Sequence, residues 1–303
     1  MPLTPLNRVS DEICDVDRLL GEVRSTIRQA LERTSLKPLV PHCAGLLSGG
    51  KMLRARLALR AGTAAGAPLP TLICGAAAIE LLHAASLLHD DVIDGASLRR
   101  GAPAFWVSRG TSGAIILGDL MVCVSLSLLI EANGEALIPE FVSRAREMCE
   151  AEAEQELLRR GEANWDTSVN LARRKTGSLF AFVAYLAGGP SPALRPVLRE
   201  SGYLAGTAYQ LADDLFDSFG DPDSADKTLG LDSAHAKVTA VTGWQNHQDG
   251  TPDDPVEYIQ ELCEKSEQAL AAWPTVRVAW HDFLSEDLQP SIQKLVALFV
   301  PEA

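Results

Sequence analysis

The chain has 303 residues, 47% of them hydrophobic, and a net charge of −13 at pH 7, so it can build a sizeable core but its overall field repels nucleic acid. Any anionic substrate must therefore be held by local basic groups or by metal ions. Six scattered cysteines without metal-ligand spacing, and the lack of a signal-peptide pattern at the N-terminus, predict a cytoplasmic protein with reduced thiols.

The first half of the chain shows helical periodicity broken by glycine and proline. Ser10 is the predicted N-cap of an amphipathic first helix, and a glycine turn at 48–54 leads into a second helix. Residues 95–106 are expected to form a loop. Asp119 and two prolines interrupt the apolar runs, so no transmembrane segment is predicted. Further helices are expected over about 71–94, 112–131 and 137–160.

The second half continues the same pattern. Helices are expected over about 168–187 and 193–218, after a helix-starting Pro255, and over 290–300. No run shows the alternation of a strand, and no low-complexity linker divides the chain. The sequence therefore predicts one all-α domain spanning residues 1–303.

Two acid clusters with the same D-D-x-x-D pattern lie about 120 residues apart within apolar helical stretches. Residues three and four apart share a helix face, so the carboxylates of a cluster repel one another unless a cation offsets their charge. Oxygen ligands without histidine or cysteine suit Mg²⁺. The predicted metal ligands are Asp90, Asp91, Asp94, Asp213, Asp214 and Asp217.

Basic side chains near the clusters could hold a diphosphate that bridges the metal ions. Taken singly, each is more often a surface cation, and the lone His83 in an apolar helix is more often a core residue. Ala85 and Ser86 lie one turn before the first cluster in an apolar helix. A charged cluster at the end of an apolar helix is suited to bind a lipid diphosphate, with the diphosphate at the carboxylates and the hydrocarbon chain along the helix. The basic candidates are Lys51, Arg54, Arg99, Arg100, Lys175, Lys227 and Lys237.

These motifs resemble those of the trans-isoprenyl diphosphate synthases, the polyprenyl synthetase family. The turn at 49–54 is similar to the family's G-G-K-R-x-R-P, with Met52 in place of an arginine and Ala55 in place of the proline. Asp226 stands where the family's downstream G-K pattern has glycine. Residues 80–94 and 210–217 resemble the family's two aspartate-rich motifs. Residues 98–101 resemble its basic pair, residues 175–180 its K-T-x-x-L-F stretch, and residues 226–239 its downstream pattern.

The resemblance implies a bundle of long helices around a central cavity, a homodimer, and three Mg²⁺ ions held by the six aspartates. It implies catalytic roles for those aspartates and for Lys175. It assigns the allylic diphosphate to Arg99, Lys175, Thr176, Gln210, Lys227 and Lys237. It assigns isopentenyl diphosphate to Lys51, Arg54, His83 and Arg100.

The implied reaction begins with ionisation of the allylic C–O bond, which gives a carbocation and diphosphate. The double bond of isopentenyl diphosphate attacks the carbocation, and a proton is then lost to the released diphosphate. The product is an all-trans polyprenyl diphosphate one isoprene unit longer than the allylic substrate.

In this family, bulky residues before the first acid cluster stop the growing chain. An isoprene unit extends roughly 4–5 Å and a helical turn rises about 5.4 Å, so each turn corresponds to about one unit. Ala85 and Ser86 place no aromatic floor there, and the facing helix offers Met121, Cys123, Ser125 and Leu126. We therefore expect a product longer than C20, in the range C30 to C40, with geranylgeranyl or farnesyl diphosphate as the alternative.

Three proteins of other classes are less compatible with the sequence. A non-catalytic subunit of a heteromeric prenyl synthase typically loses one acid cluster, whereas both are whole here. A class I terpene cyclase is expected to have a mixed Asn/Ser/Glu second metal site and no Gly-Gly-Lys turn. A helical scaffold without chemistry leaves both acid clusters unexplained.

Overall fold

The computed structural model describes residues 15–38, 50–132, 134–157, 164–219, 228–230, 235, 237–246 and 251–297. Within these residues it is helical apart from one two-residue hairpin, which confirms the all-α class. The first helices and the hairpin are α1 Val16–Glu32, α2 Leu53–Ala64, α3 Leu69–Ile93, β1 Leu98–Arg99, β2 Ala102–Pro103, α4 Phe105–Arg109, α5 Thr111–Glu131 and α6 Ile138–Leu157. The later helices are α7 Trp165–Ala172, α8 Ser178–Ala187, α9 Leu194–Phe219, α10 Ala240–Gln245, α11 Pro255–Gln268, α12 Pro274–Asp282 and α13 Gln289–Val296.

Helix α3 lies at the centre and contacts α1, α2, α5 and α8. It is apolar on nearly every side, as the sequence predicted, and twelve of its 25 residues are buried. Helix α9 packs on α8 and α11. The two acid clusters therefore stand at the C-terminal ends of two core helices, α3 and α9.

The contact between α8 and α9 depends on small residues. A Cβ on Gly206 of α9 would lie 2.7 Å from the Cα of Gly177 and 2.9 Å from the Cβ of Phe180. A Cβ on Gly202 would lie 2.6 Å from the carbonyl oxygen of Phe180. Because backbone blocks the space, these positions accept only glycine at this helix separation.

The first helix begins later than predicted. Its N-cap is Asp15, whose Oδ1 accepts a hydrogen bond from the backbone N–H of Arg18 at 2.9 Å. Ser10, the predicted cap, lies outside the described residues. The apolar face of α1, with Leu20, Val23 and Ile27 buried, packs on α3 as the periodicity predicted.

The stretch predicted as a loop at 95–106 contains a hairpin and the start of α4. Leu98 pairs with Pro103 and Arg99 with Ala102. The two turn residues, Arg100 and Gly101, have φ of 53° and 70°, the conformation that tight two-residue hairpins require. The sequence lacks the Asn-Gly or Asp-Gly signal of such turns, so its pattern does not predict the hairpin.

Two long helices carry a π-helical turn that periodicity did not reveal. Residues Arg173–Gly177 join α7 to α8, and residues Phe283–Leu288 join α12 to α13. The last helix, predicted from about Pro290, is confirmed to within one residue as α13, and its predicted end at 300 lies outside the described residues. It continues α12 through the π turn, so the helical stretch as a whole begins at Pro274, and Pro290, which lacks an N–H, follows the π turn. Pro255 does begin a helix, with Asp254 as its N-cap.

Helices α3 and α5 are each long and apolar enough to cross a membrane by length and composition, so the expectation of no such run was wrong on that count. Two thirds of the apolar window in α3 is buried inside the chain, as in the core helix of a globular protein. Helix α5 is less covered and leaves Ile115, Ile116 and Ile130 exposed.

We predict that Gly206→Ala lowers the free energy of unfolding by roughly 1–3 kcal/mol, because the added methyl group overpacks the α8–α9 contact. Gly21→Ala is the matched control. Gly21 is an exposed interior residue of α1 where an added Cβ would meet nothing within 4 Å, and alanine there should stabilise by about 0.5–1 kcal/mol. Urea denaturation followed by circular dichroism measures both, and an unchanged midpoint for Gly206→Ala would contradict the packing argument.

Candidate active site between the two acid clusters

The first acid cluster ends α3 and is held by basic side chains from other elements. Asp91 is buried, and its Oδ1 accepts from Nε and Nη2 of Arg99 at 2.9 and 2.5 Å. Asp94 Oδ1 lies 2.6 Å from Nζ of the buried Lys237. The hairpin therefore places Arg99 over the cluster, and the segment before α10 brings Lys237 to its other side.

Arg99 also connects the first cluster with the second. Burial alone would lower the pKa of Arg99, but the ion pair with Asp91 and the charges of Asp90 and Asp213 outweigh it, so the pKa is raised. Asp213 belongs to the second cluster. Arg99 therefore lies within electrostatic range of carboxylates from both clusters.

The second acid cluster lies near the end of α9. Asp214 is buried and both of its carboxylate oxygens are engaged: Oδ1 accepts from Gln210 Nε2 at 2.7 Å, and Oδ2 from the backbone N–H of Ala240 at 2.9 Å. Asp214 thereby fixes the first residue of α10 to α9. Asp217 is also buried, and Asp213 is partly buried.

The π turn between α7 and α8 carries two of the predicted site residues. Nζ of Lys175 lies 2.7 Å from Oε2 of Glu152 and 3.1 Å from Oε1 of Gln155. The hydroxyl of Thr176 donates to Oε1 of Gln210. Because a π turn is wider than an α turn, consecutive residues there take directions that a regular helix does not allow.

Helix α6 supplies site residues that sequence reasoning missed. Glu152 and Gln155 contact Lys175, Gln155 also donates to the carbonyl oxygen of Val238 at 2.6 Å, and Glu156 lies 3.8 Å from Lys237. The available signal was the spacing of three and four between these polar residues in the charged half of the helix.

Asp90 lies near two other carboxylates, those of Glu152 and Asp94. Burial, with Glu152 and Asp94 nearby, raises the pKa of Asp90 to about 7, although Lys175 and Lys237 act in the opposite direction. An added positive charge is therefore favourable beside it. The oxygen-only donor set fits a divalent cation such as Mg²⁺. Across the described ranges, however, no group of three acidic, histidine or cysteine side chains converges as a ready-made metal site.

A second group of basic residues surrounds a small cavity between α1, α2 and α3. The cavity is lined by Ile27, Gly50, Met52, Glu80, His83, Ala84 and Arg100. A Cβ on Gly50 would lie 2.7 Å from Nη2 of Arg100, so a side chain at position 50 would displace the end of the flexible Arg100 side chain. Burial, with Arg54 and Arg100 nearby, lowers the pKa of His83 well below its usual value, so His83 is neutral.

Arg54 is a buried cation on the wall of this group. Its guanidinium stacks over the ring of Phe180 at 5.0 Å, and its Nε has no hydrogen-bond partner among the described residues. Burial lowers the pKa of Arg54, while Glu80 opposes that shift. A buried guanidinium with a spare donor is suited to an anionic ligand.

The positions expected to set product length are small but closely packed. Ala85 is buried, and the hydroxyl of Ser86 donates to the carbonyl oxygen of His83 at 2.9 Å. On α5, Met121 and Ser125 are buried and Leu126 is partly buried, as expected for a facing helix. Cys123 is exposed, so it does not face the interior. Lys227, assigned to the allylic site, lies outside the described residues.

Comparison with known proteins agrees with the motifs. A family model described as polyprenyl synthetase matches residues 39–271. The farnesyl diphosphate synthase of Escherichia coli is 32% identical over 248 residues, 75% of this chain and 82% of that protein. An all-trans-nonaprenyl-diphosphate synthase of Rhodobacter capsulatus is 32% identical over 209 residues, 66% of this chain and 64% of that protein.

A solved structure has the same fold. The polyprenyl synthase from Caulobacter crescentus, complexed with calcium and isoprenyl diphosphate, is 26% identical with a TM-score of 0.75, and the match covers 88% of this chain and 96% of that one. The proteins similar to this chain make products of different length, so similarity does not decide the length made here.

We predict that metal-free protein loses stability as the pH rises from about 4 to above 7. The folded state binds the Asp90 proton more tightly than the unfolded chain, whose pKa is near 3.8, so the stabilisation is complete below pH 4 and is lost as the carboxyl ionises near pH 7. Asp90→Asn should remove this loss and be more stable than wild type at pH 8 by on the order of 1 kcal/mol or more.

Urea denaturation in EDTA at several pH values measures the effect, with Asp166→Asn, an exposed residue of α7, as the control. Parallel pH curves for wild type and Asp90→Asn would contradict the prediction.

Proposed function

This chain belongs to the polyprenyl synthetase family, whose members are prenyltransferases, and we propose that it joins isopentenyl diphosphate head-to-tail to an allylic prenyl diphosphate. The observation that carries the proposal is that one cation, Arg99, is paired with the first acid cluster and lies within electrostatic range of the second. Arg99 interacts with Asp91 and with the charges of Asp90 and Asp213, while Lys237 pairs with Asp94.

The six aspartates of the two clusters are proposed to hold three Mg²⁺ ions. When bound, these ions would stabilise the negative charge that develops on the departing diphosphate. Asp91 is paired with Arg99, Asp94 with Lys237, and both oxygens of Asp214 are engaged by Gln210 and Ala240, so these three carboxylates would have to exchange those partners to become direct ligands.

The allylic diphosphate is proposed to lie between the clusters. Arg99, Lys175 and Lys237 would bind its oxygens after exchanging their carboxylate partners for substrate, and Thr176 and Gln210 would orient it through the hydroxyl–amide contact. Lys227 is proposed to join them. Moving positive charge onto the leaving group lowers the barrier to breaking the C–O bond.

Isopentenyl diphosphate is proposed to bind to Lys51, Arg54, His83 and Arg100. The spare Nε donor of the buried Arg54 and the neutral state of His83 support this assignment, because both offer a hydrogen bond to a phosphate oxygen. The double bond then attacks the allylic cation, and the released diphosphate takes the proton from the condensed product.

The whole chain is proposed to be one catalytic domain that works as a homodimer in the cytoplasm. Residues from α1 to α13 contribute to one hydrophobic core, which supports a single domain. The exposed isoleucines of α5 at 115, 116 and 130 supply an apolar surface for pairing with a second copy.

The product is proposed to be longer than C20, because Ala85 and Ser86 leave no aromatic ring below the first acid cluster. Incubating the protein with Mg²⁺, labelled isopentenyl diphosphate and geranyl, farnesyl or geranylgeranyl diphosphate, then sizing the dephosphorylated products, tests both parts. Products that stop at C15 or C20 would support the proposed condensation reaction but contradict the proposed product length. A well-folded protein that makes no product with any primer would reject the reaction for the chain alone and favour a partner-dependent subunit.

We predict that Asp90→Ala and Asp213→Ala each lower kcat by at least about 100-fold, because each removes a carboxylate that holds the proposed ions. Helix content measured by circular dichroism should remain as in wild type. Asp166→Ala, at an exposed position, is the control and should keep the wild-type rate. A near wild-type kcat in either cluster variant would reject the metal assignment.

We predict that Ala85→Phe shortens the product, because a ring one turn below the first acid cluster would block the growing chain. Product sizing by chromatography reads the result, and Ala271→Phe, which adds the same ring at an exposed position, should leave the distribution unchanged. If Ala85→Phe gives the wild-type products, the chain grows along another path.

A further inference from the structure

Helix α2, which comes after the Lys51 turn, begins without a side-chain cap of its own. Its N-cap residue is Met52, with φ of 51° and no side-chain oxygen to accept from the first turn. The first N–H groups of any helix lack partners within the helix, and a cap normally supplies one. The exact placement of Lys51 and Arg54 depends on how this helix start is held.

Glu80 of the neighbouring helix α3 supplies the missing acceptor. Its Oε1 accepts a hydrogen bond from the backbone N–H of Ala55, the third residue of α2, at 3.0 Å. A serine or aspartate at the N-cap would serve the same N–H from within the chain. The family pattern has proline at position 55, and proline has no N–H, so this contact depends on the alanine found here.

Glu80 also faces the group of basic residues proposed to hold isopentenyl diphosphate. It lines the same small cavity as Gly50, His83 and Arg100. Its carboxylate is a favourable charge for the buried Arg54, which leaves its own Nε without a partner among the described residues. The carboxylate thus touches the helix backbone and balances the cation without occupying that donor.

We propose that Glu80 is a positioning residue for the isopentenyl diphosphate site, capping α2 from α3 through the N–H of Ala55 so that Lys51 and Arg54 keep their places beside Arg100. The inference rests on the proposed function for the identity of the ligand. It explains how the start of α2 is held although Met52 and Ala55 depart from the family pattern. Glu80 acts through the helix start and makes no contact with the reacting atoms.

The experiment compares Glu80→Ala, Glu80→Gln and Ala55→Pro in the full chain. Calorimetry measures the Kd of isopentenyl diphosphate alone, and steady-state kinetics measure the KM of each substrate and kcat. Glu80→Ala should raise the Kd of isopentenyl diphosphate about 10-fold, the loss expected for one buried acceptor, while the KM of the allylic substrate and kcat change less than about 3-fold. Glu80→Gln keeps an acceptor oxygen and should restore binding to within about 3-fold of wild type.

Ala55→Pro removes the same hydrogen bond from its donor side. It should raise the Kd of isopentenyl diphosphate as Glu80→Ala does. The Kd of the double variant should be no higher than that of the weaker-binding single variant, because both changes delete the same hydrogen bond. Glu261→Ala, in an exposed ion pair of α11, is the control. If Glu80→Ala does not fold, Glu80→Gln and Ala55→Pro still decide the matter.

The inference would be overturned by wild-type binding in Ala55→Pro, by additive losses in the double variant, or by equal losses for both substrates. Equal defects in Glu80→Gln and Glu80→Ala would also overturn it, since charge and not the cap would then matter. Turnover by the wild-type protein tests the proposed function separately, because the Kd of isopentenyl diphosphate is measured without any reaction.

Discussion

The repulsion among buried carboxylates at the ends of α3 and α9 is the constraint on which the site depends. Acidic groups at the C-terminus of a helix also face the negative end of its dipole, so both clusters stand where the backbone favours cations. Arg99, Lys175 and Lys237 offset this charge, and each comes from a different element. The hairpin, the π turn and the segment before α10 therefore form one electrostatic unit around two helix ends.

The core supplies the rigidity that this arrangement needs. Glycines at 177, 202 and 206 let α8 and α9 approach until backbone meets backbone, and this contact lies beside the π turn that carries Lys175 and Thr176. The chain from Thr176 through Gln210 and Asp214 to the start of α10 then ties three elements together by hydrogen bonds. The close packing of α8 on α9 and the hydrogen bonds from Thr176 to the start of α10 together hold the site in one geometry.

The sequence was sufficient for the fold class and for most helices, because apolar periodicity and proline or glycine breaks are local signals. It also located the two acid clusters, and the structure places two of the predicted basic residues, Arg99 and Lys237, beside Asp91 and Asp94 of the first cluster. It did not reveal the hairpin at Arg100, since the turn conformation there has no strong residue signature, nor the π turns, which leave the apolar pattern intact. Glu152 and Gln155 were missed because only the approach of α6 to Lys175 gives them a role.

The π turn at Arg173–Gly177 has a consequence for how this helix can change length. Each residue added to an α-helix rotates the rest of the helix by about 100°, so an extra residue accommodated in one wide turn resets the register of α8 relative to α7. The rotation of α8, which packs against α9, is thereby set independently of the rotation of α7, which faces the segment before α10. Deleting one residue between 173 and 177 would rotate the two halves of the helix relative to each other. Either the close approach of Gly177 to Gly206 or the contact of Lys175 with Glu152 would then be lost.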